Sequence, residues 1–513
     1  MRTVFPHRLP KPRKAWRKTA LISLLIFLLL ITLIGRPALH LAKTAWKDTE
    51  EREPPQAGFV DDASRMNATE ISEVWPVPHN PREAEKQLAQ LFARARSEGV
   101  PVSIAGARHS MGGHTLVPGG IMVDMTTFND MELDECQNLL HVQAGAKWSQ
   151  ILPWLDRRGK SVAIMQSNHS FTVGGSVSVN CHGWQYGSPP IASSVDSFRL
   201  MHADGSILHC SRTENPELFS LALGGYGLFR LILDLDLRIV PNERYRLEQA
   251  TVPVEQALST FDTMIEDPDV AMTFARMNIM PDQFLNDVII TVFYRDPEPS
   301  ESLPELTEIP LAAIRRPLFR GSSNSDYGKK LRWQAETKLQ PHVRPNYFSR
   351  NQLLNEGVEV FENRSADYTD ILHEYFIPRA GLTEFTTALR EIIPRHHQDL
   401  LNVTIRQVDV DEDTFLRYAD QSLFSFVMLF SQPRSDKGDR QMKKLSIELI
   451  DAAIQAGGRY YLPYRLHATP QQFHRAYPQA KQFFALKRVY DPQELFQNQF
   501  YLKYGRSLEI DQR

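Results

Sequence analysis

The chain has 513 residues, 42% of them hydrophobic and 10% aromatic, so it can form two or three domains with sizeable cores and is not a disordered protein. Its net charge is −3, but residues 1–47 hold ten Lys and Arg and no Asp or Glu, which leaves 48 basic against 61 acidic residues in the rest. A body this acidic argues against a nucleic-acid binder, and three cysteines without a CxxC pair indicate neither a disulfide framework nor a metal site.

The first element in chain order is an apolar segment behind a basic tail, residues 1–18. Residues 19–35 carry no charge and are mostly Leu and Ile. We expect residues 19–41 to form a single-pass membrane anchor, because the segment is longer than the apolar core of a cleaved signal peptide, which is the alternative. The positive-inside rule then places the rest of the chain on the non-cytoplasmic side, although the sequence leaves the side open. Residues 48–66 are acidic and contain proline, which indicates a linker.

The next region, residues 67–243, alternates short apolar runs with glycine-rich turns. Apolar residues at helical spacing predict a helix over 83–98, and Asp-Gly at 204–205 indicates a hairpin turn. Strands are predicted over residues 100–104, 121–125, 139–143 and 228–240. This pattern is typical of an α+β unit.

Residues 244–513 form a second region with its own strands and helices. Alternating apolar residues predict strands near 271–278 and 287–295. Helical periodicity follows near 380–393 and 436–456. We therefore expect a second α+β domain.

Three glycine-rich turns in the first region are the candidates for ligand binding. They cover residues 104–114, 173–183 and 223–229, and the first contains Arg-His-Ser at 108–110. Small residues let the backbone approach a ligand closely, and successive amides can cradle a pyrophosphate. Each turn alone is also what an ordinary α+β domain contains. No G-x-G-x-x-G, H-E-x-x-H or G-x-S-x-G motif occurs, so the common nucleotide, zinc and hydrolase sites are not indicated.

In this order and spacing, the turns resemble the FAD-binding domain of the vanillyl-alcohol-oxidase (PCMH-type) superfamily, closest to the aldonolactone, alditol and decaprenylphosphoryl-ribose oxidase branch. The resemblance implies a two-subdomain α+β FAD-binding domain over 67–243 and an α+β substrate cap over 244–513. His109 lies in the matching R-H-S context and is the expected site of a covalent link to the flavin. The residues that the resemblance assigns to FAD are Ala105, Gly106, Ala107, Arg108, His109, Ser110, Gly174, Gly175, Ser178, His182, Gly183 and Ile232.

The second region resembles the cap of the sugar-oxidising enzymes. Residues 374–379 match its E-Y-x-x-P-R strand, and we expect Glu374 to face the substrate hydroxyl as acceptor or base. Residues 402–406 match a strand that ends in Arg, so Arg406 is expected to polarise the substrate oxygen or to stabilise the reduced flavin. Residues 490–498 match a C-terminal signature that closes against the flavin domain.

One position departs from the resemblance. Aldonolactone and alditol oxidases carry an active-site Lys after a Gly-Gly-Arg run, and here that position is Tyr464. We take Tyr464 as the third catalytic candidate, with Arg465 or His467 as side chains that could restore a charge. The tyrosines at 460, 461 and 464 suggest a substrate more apolar than a simple lactone, one linked to a lipid.

Together these features predict an FAD-dependent oxidoreductase that oxidises a hydroxyl-bearing carbon of a sugar, lactone, alditol or lipid-linked polyol by hydride transfer to the flavin. Oxygen or a membrane carrier would accept the electrons, and no metal or nucleic acid is expected. Two alternatives stay open. One is an FAD-dependent C=C reductase of a lipid-like substrate, as in sterol reductase relatives, and the other is a membrane-anchored module without catalysis.

Overall fold

The structure is a computed structural model that describes residues 13–48, 56–296, 303–306 and 312–506. Of the basic tail predicted for residues 1–18, residues 1–12 lie outside the described part. Of the linker predicted over 48–66, residues 49–55 also lie outside it.

The N-terminal segment forms two helices, α1 (Arg13–Leu30) and α2 (Arg36–Lys47), joined by a π-helical turn over Ile31–Gly35. Among the described residues, no helix is both long and apolar enough to cross a membrane. The single-pass anchor predicted over residues 19–41 is therefore wrong, and the membrane placement inferred from it falls with it. Basic residues at 13, 14, 17 and 18 occupy the start of α1, and Arg36 follows the π-helical turn. The uncharged stretch thus does not fill one continuous helix.

The first lobe combines a small parallel sheet with a larger antiparallel one. Its helices are α3 (Pro81–Glu98), α4 (Trp148–Asp156), α5 (Val173–Ser178) and α6 (Pro216–Ala222). Its strands are β1 (Phe59–Val60), β2 (Thr69–Glu70), β3 (Glu73–Pro76), β4 (Val102–Ala105), β5 (Ile121–Asp124), β6 (Met131–Asp134), β7 (Leu139–Gln143), β8 (Lys160–Val162), β9 (Val195–Met201), β10 (Ile207–Ser211) and β11 (Leu231–Pro241). The parallel sheet has the order β3-β5-β4, and the larger sheet the order β10-β9-β11-β7-β6 with β8 paired to β11.

Helix α3 connects β3 to β4 in the parallel sheet, and the local sequence specifies where this helix begins and ends. The Asn80 side chain accepts the amides of Arg82 and Glu83, with Pro81 at the first helical position, which is a strong start signal. Gly99 ends the helix at φ 67°. The apolar face of α3, including Leu88 and Phe92, is buried in the core of the lobe.

The second lobe is an eight-stranded antiparallel sheet in the order β15-β12-β14-β13-β17-β18-β16-β19. Its strands are β12 (Arg244–Pro253), β13 (Val270–Met277), β14 (Asp287–Arg295), β15 (Tyr347–Ser349), β16 (Tyr368–Pro378), β17 (Asp399–Val408), β18 (Leu423–Pro433) and β19 (Arg459–Tyr460). Its helices are α7 (Val254–Met264), α8 (Ala312–Arg320), α9 (Asp326–Gln334), α10 (Gln340–Val343), α11 (Arg350–Leu354), α12 (Leu382–His396), α13 (Asp436–Gln455), α14 (Pro470–Ala476) and α15 (Ala480–Tyr490).

Strand alternation gives the sheet of the second lobe two different faces. Residues 405 and 426 line an apolar space beside α7 and α12, residues 374 and 427 line the cleft against the first lobe, and Arg406 borders both. The antiparallel register places Glu374 opposite Val427 and Arg406 opposite Ser425, so the two charged residues lie on β16 and β17, the strands on either side of β18.

The first and last described segments pack onto the two lobes. The C-terminal segment returns to the first lobe, where Val102 donates its amide to Leu495 O at 2.7 Å and accepts from the Gln497 amide at 2.9 Å. At the other end, α2 packs on the second lobe, where His40 Nε2 lies 2.9 Å from Gly321 O.

Candidate active site

A cleft of about 1530 Å³, a volume that includes the open solvent at its mouth, lies between the two lobes. The first lobe contributes all three glycine-rich turns, and the second lobe contributes the three catalytic candidates, Glu374, Arg406 and Tyr464. Ten of the twelve residues predicted to hold FAD line this cleft: Gly106, Ala107, Arg108, His109, Ser110, Gly174, Gly175, Ser178, His182 and Ile232. Ala105 and Gly183 do not. Ala105 packs in a small apolar core, and a side chain at Gly183 would meet Met165 O at 2.0 Å.

The first turn is fixed by contact with the second turn. A Cβ at Gly106 would lie 2.0 Å from Thr172 Oγ1, so glycine is required here by packing inside the protein. Arg108 follows with φ 55°, in the left-handed region that bends the turn around the cleft. The next side chain, His109, stacks on Phe171 with ring centroids 4.3 Å apart.

The second turn offers a different surface from the expected amide cradle. The Gly174 amide donates to Ala144 O at 2.8 Å, and the Gly175 amide donates to Thr172 Oγ1 at 3.3 Å. Both N–H groups are thus already used within the protein. The two glycines present Cα surface to the cleft, and this allows close approach of a flat ligand.

Glu374 is the centre of a buried polar cluster at the lobe interface. Its Oε1 accepts from His182 Nε2 at 2.5 Å and from Ser425 Oγ at 2.6 Å, and its Oε2 accepts from Tyr464 OH at 2.9 Å. Burial opposes the charge, yet His182, Arg406 and Ser425 lower the pKa of the Glu374 carboxyl below its ordinary value. The site therefore contains a buried carboxylate that stays ionised.

Arg406 is the cation of the cleft wall nearest this carboxylate. Its Nη2 donates to Ser167 Oγ at 2.9 Å, while its buried Nε has no hydrogen-bond partner among the described residues. Burial lowers the pKa of the guanidinium, and the nearby Glu374 opposes that shift. A buried donor without a partner is costly, so Nε is available to an electron-rich oxygen or nitrogen of a ligand.

The side chains expected to restore a charge beside Tyr464 turn away from the cleft. Arg465 binds Asp439 at 2.9 Å through Nη2, and His467 contacts the same Asp439 at 3.2 Å and Ser446 Oγ at 2.8 Å. Neither lines the cleft. Tyr464 is left as a neutral donor, because burial and then the Glu374 carboxylate raise its pKa far above the ordinary value.

The three tyrosines that suggested a lipid-linked substrate do not form one surface. Tyr461 and Tyr464 line the cleft, but the Tyr461 hydroxyl donates to Val179 O at 2.8 Å. Tyr460 lies outside the cleft lining and packs edge-on against Tyr477 in the core. Two of these three tyrosines thus reach the cleft, where Tyr226 of the third turn is a further phenol.

The cleft residues fit an FAD molecule. Besides Arg406 Nε, the buried hydroxyls of Ser110 on the first turn and of Thr115 just after it have no hydrogen-bond partner among the described residues. The glycine surface of the second turn suits a flat ring, and the unpartnered donors and acceptors suit the polar edges of a dinucleotide. Residues 106–110 and 174–178 would hold the cofactor and the cap would cover it.

Sequence motifs missed part of the cleft wall. Ser167, Phe171 and Thr172 line the cleft and come from a loop without a recognisable pattern. Their roles come from contacts with Arg406, His109 and Gly106, which lie far away along the chain. No local signal in the sequence could have found them.

Family comparisons agree with this geometry. An FAD-binding domain family matches residues 82–211, and the D-arabinono-1,4-lactone oxidase family matches residues 235–504, more than half of the chain. The two matches place an FAD-binding domain before a lactone-oxidase domain, in the order of the two lobes. The chain belongs to the D-arabinono-1,4-lactone oxidase family.

Three relatives show the range of similar proteins. Cytokinin dehydrogenase 2 of Arabidopsis thaliana is 33% identical over 147 residues, which are 28% of this chain and 29% of that protein. L-gulonolactone oxidase of Mus musculus is 26% identical over 183 residues, 35% of this chain and 41% of that protein. L-gulono-1,4-lactone dehydrogenase of Mycobacterium tuberculosis is 21% identical over 428 residues, 81% of this chain and 93% of that protein. The matched segment thus spans less than half of the first two relatives and nearly all of the third.

Proposed function

We propose that the protein is an FAD-dependent oxidase or dehydrogenase that oxidises a hydroxyl-bearing carbon of an aldonolactone or a closely related sugar. The observation that carries this proposal is the single cleft in which the FAD-lobe turns face Glu374, Arg406 and Tyr464 of the cap. Two of the relatives described above are named for gulonolactone, and one of these aligns along nearly its whole length.

Each cap residue has a stated task in this proposal. Bound FAD supplies a two-electron acceptor for the hydride of the substrate carbon. Arg406 offers its free Nε to the substrate oxygen or to negative charge on the cofactor. Tyr464 holds Glu374 in place, and Ser167 holds the guanidinium of Arg406 at the cleft wall.

The proposed substrate is small and polar. Of the three tyrosines that suggested a lipid-linked substrate, Tyr461 and Tyr464 line the cleft and Tyr460 lies in the core, so that suggestion stays a prediction beside this one. A lactone ring with several hydroxyls matches the polar groups on this wall. Oxygen or another acceptor would reoxidise the enzyme. These two possibilities are distinguished by comparing the turnover rate in air with the rate under nitrogen in the presence of an artificial dye.

A covalent link through His109 is part of the proposal. Its ring is stacked on Phe171 at the cleft wall, which fixes its orientation toward a bound flavin. Acid precipitation of the purified full chain is expected to leave yellow colour in the pellet. His109→Ala should move that colour to the supernatant, while His79→Ala, a change of an exposed histidine, should not. Colour in the wild-type supernatant would reject the covalent link and keep the FAD site.

Steady-state turnover of lactones tests the proposed activity. The full chain is assayed with L-gulono-1,4-lactone and D-arabinono-1,4-lactone, and Arg406→Met is expected to lose at least about 100-fold in kcat/KM, as a lost charge-stabilising donor would. Arg238→Met changes an Arg that is 53% exposed on β11 and should act as wild type. Equal activity of Arg406→Met and wild type would contradict the assigned role.

A further inference from the structure

The carboxylate expected to act on the substrate is already held by three neighbours. Glu374 is only 4% exposed, its Oε1 accepts from His182 and Ser425, and its Oε2 accepts from Tyr464. These donors and Arg406 favour its ionised form and lower its pKa, which makes it a weak acceptor for a substrate proton. Glu374 is therefore arranged to act on its neighbours.

His182 is the neighbour with an unused atom. Its Nε2 is occupied by Glu374, whereas its buried Nδ1 has no hydrogen-bond partner among the described residues. His182 also lines the cleft, on the lobe that holds the glycine-rich turns. When Nε2 of a neutral imidazole donates to a carboxylate, Nδ1 carries the lone pair and can accept a proton.

We propose that His182 is the catalytic base of the oxidation and that Glu374 is the positioning residue that orients its ring through Nε2. The inference rests on the proposed function. The substrate hydroxyl gives its proton to His182 Nδ1, and the same carbon gives a hydride, with two electrons, to bound FAD. The C–O single bond becomes C=O, and the proton on His182 returns to solvent before the next turnover.

The other ionisable groups around His182 do not compete for this task. Burial raises the pKa of Cys181 to about 12 and raises those of Tyr418, Tyr461 and Tyr464 far above their ordinary values. These four groups therefore hold their protons at neutral pH. The remaining charged neighbour, Arg406, is a donor without acceptor capacity.

Chemical rescue tests the base directly. The full FAD-loaded chain carrying His182→Ala is mixed under nitrogen with the lactone that reduces wild type, with and without free imidazole. We expect flavin reduction in this variant to be slower than in wild type by about 10²–10⁴-fold, the usual contribution of a general base. Free imidazole should then raise the rate of the variant at least about tenfold, and more at higher pH. His141→Ala, which removes a half-exposed histidine bonded to Asp236, should reduce normally with no imidazole effect.

The outcomes separate this inference from the proposed function. A wild-type enzyme that no lactone reduces would reject the proposed function, and the inference would fall with it. If a lactone reduces the wild-type flavin, two results would reject His182 as the base and leave the proposed function standing. In one, the flavin of His182→Ala is reduced as fast as in wild type. In the other, it is reduced slowly and imidazole does not raise the rate.

The role of Glu374 is tested by separating the rate of flavin reduction from lactone binding. Glu374→Gln keeps the side-chain shape but removes the carboxylate that faces His182 Nε2, so it should lower the maximal rate of flavin reduction and leave the half-saturating lactone concentration unchanged. Glu384→Gln, on the exposed first turn of α12, should leave both unchanged. An unchanged maximal rate in Glu374→Gln would show that Glu374 is merely structural.

A measurement on wild-type protein covers the case in which these variants do not fold. Nitrogen-15 NMR of labelled histidine distinguishes the two neutral tautomers of the imidazole. We expect His182 to carry its proton on Nε2, facing Glu374 Oε1. A proton on Nδ1 in the neutral form would leave no acceptor for the substrate and would overturn the proposal.

Discussion

Tyr464 donates a hydrogen bond to Glu374 across 2.9 Å, from the loop after β19 to strand β16. Residue 464 is the position at which the oxidases that the chain resembles carry a lysine. The phenol serves here as a neutral donor to an ionised carboxylate, since burial and the carboxylate raise its pKa. Through this hydrogen bond, the residue at the lysine position contacts Glu374, the residue that orients His182.

Removing this donor gives the first prediction. Tyr464→Phe keeps the ring and deletes the hydroxyl, so Glu374 loses one of three donors, and hydrogen bonds to charged groups contribute about 1.5–3 kcal/mol. We expect a loss of this order in the free energy of unfolding and about a tenfold lower kcat. Urea unfolding and steady-state assays measure these effects.

The matched control for that variant is Tyr368→Phe, a change of a side chain that is 37% exposed on the same strand, β16. It should leave both values unchanged. A Tyr464→Phe protein as stable and active as wild type would show that the hydrogen bond is dispensable.

Gly106→Ala should disturb the first and second turns together. The new Cβ would lie 2.0 Å from Thr172 Oγ1, and overpacking of this kind costs about 1–3 kcal/mol. We expect a lower melting temperature and weaker retention of FAD on gel filtration. Gly35→Ala is the control, because its Cβ would meet nothing closer than 3.9 Å. Adding Thr172→Ala to Gly106→Ala should recover part of the loss, and no recovery would contradict the proposed clash.

Asp439 makes part of the stability depend on pH. Burial opposes its charge, but His467 and Arg465 overcome this effect and lower its pKa to about 2. The carboxylate therefore stabilises the fold above its unfolded pKa, near 4, and this contribution is lost as the pH falls from about 4 to about 2. Because the side chain is 27% exposed, we expect about 1 kcal/mol at neutral pH after allowance for solvent screening.

Asp439→Asn tests this assignment by unfolding at several pH values. The variant should be less stable than wild type at pH 7, and the two proteins should converge near pH 2. Asp436→Asn, at the exposed start of the same helix α13, controls for general acid effects. A difference that stays constant from pH 7 to pH 2 would contradict the ionised pair.

The N-terminal helix α2 should contribute to the stability of the cap. His40 contacts Gly321 O at 2.9 Å and packs edge-on against Tyr327, with ring centroids 5.2 Å apart. His40→Ala should therefore cost about 1 kcal/mol in thermal or urea unfolding. Lys43→Ala, on the exposed side of α2, should have no effect. Equal stability of the two variants would show that α2 does not support the cap.

Local patterns in the sequence predicted many individual elements well. The predicted strand over 139–143 agrees with β7, and the predicted helix over 436–456 agrees with α13 to within one residue. Each element carries its own periodicity and its own start signal, such as Ser435, which caps α13. The glycine-rich turns and the cap strands likewise pointed to the cleft.

Contacts between distant parts of the chain could not be predicted in this way. His182 and Glu374 are 192 positions apart, and the sequence does not show that their side chains form a hydrogen bond. Arg465 and His467 follow Tyr464 directly, yet Asp439 draws both away from the cleft. The prediction of an N-terminal membrane anchor was wrong for a related reason. A count of apolar residues does not show where an α-helix gives way to a π-helical turn.

Anaerobic titration of the purified full chain with L-gulono-1,4-lactone and D-arabinono-1,4-lactone tests the central claim most directly. We predict that bound FAD is present in the visible spectrum and that one of the lactones bleaches it in a one-to-one ratio, with the oxidised lactone recovered as product. A protein that binds FAD but is bleached by neither lactone, or one that binds no FAD after reconstitution, would contradict the account.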